Sequence, residues 1–403
     1  MSGAIKLHTS HRSIPPEQTL LHAKALAQKA GIRMVSDITP LDCLGLPVFM
    51  SERPGAGLLT YSFGKGVAPI ESEVGAYMEA IEDYFAHPGN DAVVSRWGTP
   101  RELSGVDAAG DPAFAFAPIA ERRSTADQPM RLARALDVET GAAGWVPAEL
   151  VFIRHPDVGA SLYGVSTNGL AAGNSVLEAS LHALFELIER DIWSIEFVRN
   201  AALRVVDDSL PPETREVVET AARNGLRFVI RSVPNDYGTP FFATFLFDPE
   251  RPLHRFFNGG WGCHLDRRIA LTRAVTEAAQ SRAASLHGGR ELPEWDGPGS
   301  EADGVRAQMA SISGESPAIR FEDIPEPGAA ASLAAQWRET LGCLRRVIDR
   351  PVYRVVYTPE EGPIHVVRLV VPTMEHFSKF TMRVGPRLTA ELEASVDDAE
   401  PEA

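Results

Sequence analysis

The chain has 403 residues, 44% of them hydrophobic, and a formal net charge of −15 at pH 7. That length and apolar content can bury a large core. The acidic balance argues against a general nucleic-acid surface, which needs clustered Lys and Arg, and is compatible with a cationic partner.

In chain order, helices are predicted over about 16–30, 72–86, 175–198, 212–224, 267–286 and 328–344 from apolar periodicity. Gly225–Val233, Pro240–Phe247, Val352–Tyr357 and Ile364–Val371 are rich in β-branched and aromatic residues and read as strands. Helices packed on mixed sheets follow, an α+β fold. Gly288–Gly304 and Ser311–Ala329 concentrate Gly, Pro and acidic residues and read as surface loops. The stretch 391–403 reads as an acidic disordered tail behind one catalytic domain spanning 1–390. The absence of an apolar h-region near Met1 and of an 18-residue apolar run leads us to expect a cytoplasmic protein with no membrane partner. The three cysteines, Cys43, Cys263 and Cys343, form neither a zinc motif nor a disulfide framework. Cys43 reads as a small buried hydrophobe or as a reactive thiol.

The segment Asn168–Asp191 runs a small-residue loop straight into a helix with carboxylates on one face. At about 100° per residue, Glu178, Glu186 and Glu189 fall within roughly 80° of one another. Leu177, Leu181, Leu184, Phe185 and Ile188 cover the rest of that helix, so it should be buried. Burying like charges calls for a neutralising cation or donors. Gly64-Lys65-Gly66 precedes a second helix bearing Glu79 and Glu82, three apart. Aligning Ala76-x-x-Glu79-x-x-Glu82 with Ala183-x-x-Glu186-x-x-Glu189 suggests a duplicated unit sharing a central site. A third helix carries Glu277, Gln280 and Arg282. Arg282 lies about 140° from Glu277 on a straight helix, so one ligand takes both only through a long side chain. Lys65, between glycines that let backbone approach an anion, is a phosphate candidate. Each Glu-x-x-Glu pair also suits a solvated helix face, and His182, on the face of Glu178 and Glu186, reads as a ligand or base or as a core histidine satisfied by a carboxylate, the latter favoured.

These three segments, with Thr9-Ser-His-Arg12, Gly31–Asp42 and Val384-Gly-Pro-Arg387, resemble the YcaO-domain proteins in order and spacing over about residues 9–388. The resemblance implies helices on mixed sheets around a central ATP site, with ATP and Mg2+ as cofactors. It implies ATP-dependent activation of a backbone amide in a ribosomally made precursor peptide. Carried over by motif position, Glu79, Glu82, Glu186, Glu189 and Glu277 would serve the metal, and Lys65, Asn174, Glu178, Arg190 and Arg282 the nucleotide. Phosphoryl transfer asks for positioning and charge compensation rather than a protein nucleophile, so no acid or base is assigned. The sparse proline of Glu400-Pro-Glu-Ala403 departs from the proline-rich tails of partner-dependent azole formers, which favours a stand-alone member similar to bottromycin-type cyclodehydratases, giving an azoline or macrocyclic amidine. Members encoded with a TfuA-type partner, which install thioamides from sulfide, are equally similar. A degenerate, non-catalytic peptide-binding scaffold, a ligase of free acids and a homo-oligomer are left open.

Overall fold

A computed structural model describes residues 4–56, 60–106, 111–154, 157–159, 161–288, 299–328, 332–379 and 381–397. The chain resolves into two compact units, Met1–Ile81 with Ala201–Ala331, and Glu82–Asn200 with Ser332–Ala403.

The first unit opens with a hairpin, β1 (Ile5–Lys6) and β2 (His11–Arg12), and helix α1 (Pro16–Ala27). Strands β3 (Met34–Asp37), β4 (Val48–Glu52) and β5 (Tyr61–Lys65) pair antiparallel in that order. Helix α2 (Pro69–Phe85) begins in this unit and gives its last residues to the other. A second sheet combines β10 (Leu203–Val205), β11 (Arg227–Ser232), β12 (Phe241–Phe247), β13 (Phe257–Cys263) and β14 (Ala318–Ile319) in the order 13-12-11-10-14. Only the β10–β14 pair is parallel. Helices α4 (Pro212–Arg223), α5 (Arg267–His287) and α6 (Glu301–Ser313) complete the unit. Phe228, Ile230, Phe242 and Leu246 of the sheet close a core with Leu271, Ala274 and Ala278 of α5. Asp266 starts α5 by accepting the Arg268 and Ile269 N–H groups at 2.9 and 3.2 Å, and Gly288 ends it at φ 77°.

In the second unit β6 (Ser95–Gly98), β7 (Met130–Asp137), β15 (Tyr353–Val356), β16 (His365–Val370) and β9 (Leu170–Gly173) form an antiparallel sheet, with β8 (Ala143–Pro147) paired to β7. Helix α3 (Val176–Arg199) packs on β9 and β16, and α7 (Leu333–Arg345) and α8 (Pro386–Asp397) pack on α3. Ser175 caps α3 by accepting the Glu178 N–H, and Asn200 closes it at φ 45°.

Two expectations change. Residues 391–397, assigned to the disordered tail, continue α8. Leu388 is buried and Glu391 forms a forked ion pair with Arg199, its second bond 2.9 Å long, so the acidic stretch has both an apolar and a charged anchor. Residues 301–304 and 311–313, the facing ends of two expected loops, belong to α6 because Val305 and Met309 find a core. The parts of those loop and tail expectations at 289–298, 329 and 398–403 lie outside the described residues. Among the described residues no helix is long and apolar enough to cross a membrane.

Candidate active site

In the first unit the site begins at a glycine. A Cβ on Gly64 would stand 1.9 Å from the Ser72 carbonyl oxygen and 2.3 Å from the Ala76 nitrogen, so β5 and α2 meet backbone to backbone. Ser72 Oγ bridges the seam, donating to the Gly64 carbonyl at 2.8 Å and accepting the Phe49 N–H at 3.0 Å. One turn further along α2, Glu79 accepts the Phe63 N–H at 2.6 Å. Gln280 of α5 donates to the Phe63 carbonyl, and Glu277, one turn before it, pairs with Lys65 Nζ. Both hydrogen-bonding groups of Phe63 are thus held by side chains of the two acidic motifs. Arg282 turns elsewhere: its Nε donates to Asp42 at 2.9 Å, the two side chains only 6% and 8% exposed. Arg282 Nη1 is buried without a hydrogen-bond partner among the described residues. Cys43 is exposed rather than the buried hydrophobe expected; partial desolvation and the Asp42 carboxylate push its thiol up, which disfavours the thiolate.

In the second unit the same device recurs. A Cβ on Gly173 would lie 2.6 Å from the Ala179 nitrogen, pinning β9 to the first turn of α3. Glu178, 2% exposed, accepts from the backbone N and Nδ2 of Asn174 at 3.2 and 2.9 Å. Asn174 Oδ1 is buried with no hydrogen-bond partner among the described residues. Glu82, at the end of α2, accepts the Ala172 N–H at 2.6 Å. Glu189 is 2% exposed, with Arg190 Nη2 3.7 Å from its carboxylate. Glu186 is half-buried. Glu178, His182, Glu186 and Arg190 follow at four-residue intervals and so share one ridge of α3. The ridge makes α3 a buried helix with a polar seam, as its sequence requires.

Sequence reasoning passed over Asp42, the partner of Arg282. It also passed over Arg354 of β15, whose Nη1 lies 3.4 Å from Ser180 Oγ and whose pKa is lowered by burial. Neither stands in an acidic or glycine-rich motif, and only the tertiary fold brings them in. Glu149 was equally silent: it accepts the Leu162 and Gly164 N–H groups at 2.8 and 2.7 Å and so holds the loop that leads to β9.

Among the described residues no group of three or more His, Cys, Asp or Glu side chains converges as a metal cage. Mg2+ bound with a nucleotide needs only one or two carboxylates, because phosphate and water oxygens complete its shell. The orphaned Asn174 Oδ1 beside a buried carboxylate offers oxygen donors of the right hardness, and the orphaned Arg282 Nη1 offers a donor to an anion. The residues present therefore fit ATP and Mg2+.

Comparison with known proteins agrees. Residues 63–375 match the family model described as YcaO cyclodehydratase, ATP- and Mg2+-binding. A protein of Methanothermobacter thermautotrophicus is 30% identical over 94% of this chain and 99% of its own length. A protein encoded in the tfuA 3′ region of Rhizobium leguminosarum bv. trifolii is 27% identical over 90% of this chain and 88% of its own. Among solved structures, YcaO from Methanopyrus kandleri bound with AMPPCP and Mg2+ superposes with a TM-score of 0.77 at 24% identity, covering 96% of this chain and 98% of that one. A heterocyclase in complex with substrate and cofactor gives 0.78 at 21% identity, over 99% of this chain and 57% of that one. The chain belongs to the YcaO cyclodehydratase family, a family of ATP- and Mg2+-binding enzymes with an α+β fold.

Proposed function

We propose that this protein activates a backbone amide of a ribosomally made precursor peptide by ATP-dependent O-phosphorylation, closing an azoline or a macrocyclic amidine by cyclodehydration. The observation that carries this reading is the polar seam of α3, where Glu178 and Glu189 are 2% exposed and the neighbouring Asn174 Oδ1 has no hydrogen-bond partner among the described residues. Carboxylates buried this deeply, beside their donors Asn174 and Arg190, present oxygen that a cation can share. When bound, ATP with Mg2+ supplies the phosphoryl group that turns the amide oxygen into a leaving group. Asn174, Glu178 and Arg190 of α3 and its cap, with Lys65 and Arg282, would contact the nucleotide. Glu79, Glu82, Glu186, Glu189 and Glu277 would take the metal or orient what does. Lys65 and Glu277, paired with each other here, would exchange that partner for phosphate and metal.

A second reading, backbone thioamidation with a sulfide source and a TfuA-type partner, is favoured by the relative encoded in a tfuA 3′ region. One experiment separates them: intact mass of a precursor peptide encoded beside the gene after incubation with the protein, ATP and Mg2+, with and without sulfide. Cyclodehydration removes about 18 Da, and thioamidation adds about 16 Da only with sulfide, each with phosphoryl transfer from ATP. Unchanged peptide mass without peptide-stimulated ADP release would overturn the stand-alone cyclodehydration reading, and the same result with the TfuA-type partner added would overturn thioamidation as well, in favour of a binding scaffold.

A further inference from the structure

The residues carried to the site by motif position are carboxylates, cations and one amide, and none of them is assigned as a donor to the oxygen of the attacked amide. The segment after β16 carries a group suited to that task, immediately past the last residue of the family match. Residues 375–377 lie against α3 where its polar ridge ends. The Glu375 N–H donates to Asp191 Oδ1 at 2.6 Å and the Phe377 N–H to Ser194 Oγ at 2.7 Å, one residue and one turn beyond Arg190. Between them stands His376, half-buried. Its Nδ1 is 3.3 Å from Arg383 Nη1 and 3.4 Å from Ser166 Oγ, in the loop that leads to β9.

The partners decide the tautomer. A guanidinium only donates, so Nδ1 accepts from Arg383 and the imidazole proton resides on Nε2. Nδ1 carries the ring's hydrogen bonds, and none to Nε2 is seen among the described residues. The ring is held firmly. The His376 carbonyl accepts Thr381 Oγ1–H at 2.8 Å, and the Glu375 carboxylate accepts the Gly385, Arg387 and Leu388 N–H groups at 2.7, 2.8 and 3.0 Å. Arg383 is itself fixed, donating to the Ala117 and Phe116 carbonyls at 2.7 Å each. The charges that surround the imidazole are Arg190 of α3, Arg368 of β16 and Arg383, with the carboxylates of Asp191 and Glu375 spent on backbone amides and on Arg387. Burial first, then those three guanidiniums, keep His376 well below the usual histidine pKa.

We propose that His376 is a further catalytic residue, whose neutral Nε2–H donates a hydrogen bond to the substrate amide oxygen as the nucleophile adds. In that step a bond forms between nucleophile and carbonyl carbon, the carbonyl π pair moves onto oxygen, and the proton stays on Nε2. A pre-positioned neutral donor stabilises the new oxyanion without lending it a proton. The inference rests on the amide-activating reading above.

The test compares His376→Ala and His376→Gln in the full chain. Readouts are ADP release driven by the neighbouring precursor peptide, calorimetric binding of AMPPCP with Mg2+, thermal melting and the imidazole tautomer by nitrogen-15 NMR. Loss of one pre-positioned donor lowers kcat by ~10²–10³-fold, so the alanine variant should fall by that factor with AMPPCP affinity unchanged within about twofold. Glutamine, which keeps a neutral N–H donor, should recover at least tenfold of the loss, and the pH profile should have no limb from this residue between pH 6 and 8. Equal loss in both variants with unchanged melting, a change in AMPPCP affinity that accounts for the loss, or a fall in the alanine variant of less than about fivefold would overturn the donor role. The tautomer decides independently of turnover. A neutral Nε2–H ring supports the proposal, and an Nδ1–H ring, or one titrating near pH 6.5, sinks it. If wild type shows no peptide-driven ADP release, the amide-activating reading fails and the donor role fails with it, whatever the tautomer. A wild type that turns over while the variants do so equally well removes the donor role alone.

Discussion

Glu82 offers a clean separation of a fold role from a chemical one. Its carboxylate accepts the Ala172 N–H at 2.6 Å, and Ala172 is 3% exposed, so that amide has no water to turn to. Glu82→Ala removes a charge-assisted bond and leaves a buried donor bare, a loss of ~1.5–3 kcal/mol. Glu82→Gln keeps an acceptor oxygen in reach and should lose only ~0.5–1 kcal/mol. In a unit of this size 1 kcal/mol moves the melting midpoint by roughly 2–4 °C. The alanine variant should therefore melt ~3–12 °C below wild type and the glutamine variant ~1–4 °C below. Metal affinity gives the opposite pattern. Both variants lose the negative charge, so both should bind AMPPCP with Mg2+ at least about tenfold more weakly, a change of ~1.4 kcal/mol. Melting followed by circular dichroism and titration calorimetry on the same preparations reads both. A glutamine variant that binds nucleotide like wild type would reduce Glu82 to a cap on β9, and one that melts as low as alanine would refute the hydrogen-bond account.

Gly64→Ala would drive a methyl into the Ser72 carbonyl and the Ala76 nitrogen, neither of which can rotate away; a destabilisation of ~1–3 kcal/mol or more, read by urea unfolding, is expected. Wild-type melting there would show that β5 and α2 are not in backbone contact. Lys65→Met removes the cation from Glu277 and should weaken AMPPCP binding several-fold while leaving melting within a few degrees. An unchanged nucleotide affinity would confine Lys65 to holding β5 on α5. Tyr357, pushed up to about 12 chiefly by burial, favours its neutral form in the fold. Its raised pKa costs nothing below the unfolded value near 10 and removes stability as pH climbs from there towards 12. Tyr357→Phe should lose ~0.5–1.5 kcal/mol at pH 8, from the bond to the Val151 carbonyl, yet close that gap between pH 10 and 12. A constant gap across that range, in unfolding free energies, would contradict the shift.

The helices were legible because each carries its own punctuation. The expectation of 175–198 meets an observed Val176–Arg199, bounded by the Ser175 cap and the left-handed Asn200. The burial of Glu178 and Glu189 was legible from the apolar rest of α3. Even the 140° between Glu277 and Arg282 carried information, for the fold sends them to different partners, Lys65 and Asp42. Strands β5, β9 and β13 were not legible. Tyr-Ser-Phe-Gly-Lys, Leu-Ala-Ala-Gly and Phe-Asn-Gly-Gly-Trp-Gly-Cys lack the β-branched run that marks a strand, because glycine and alanine replace the side chains a helix backbone would strike. Helix α6 hid behind an interior glycine and an acidic first turn. Asp42 and His376 act through contacts far away in the chain, which no local pattern records.

Those glycines also change what evolution can vary. Where side chains separate a strand from a helix, each swap of Val for Leu shifts the layers by a fraction of an ångström. At Gly64, Gly173 and Gly260 the gap is closed by main-chain atoms of α2, α3 and α5 themselves. The spacing is then a constant of the peptide unit, the same for any amino acids planted around it. A lineage can rewrite most of its core and still hand down carboxylates standing at an unaltered height above their strands.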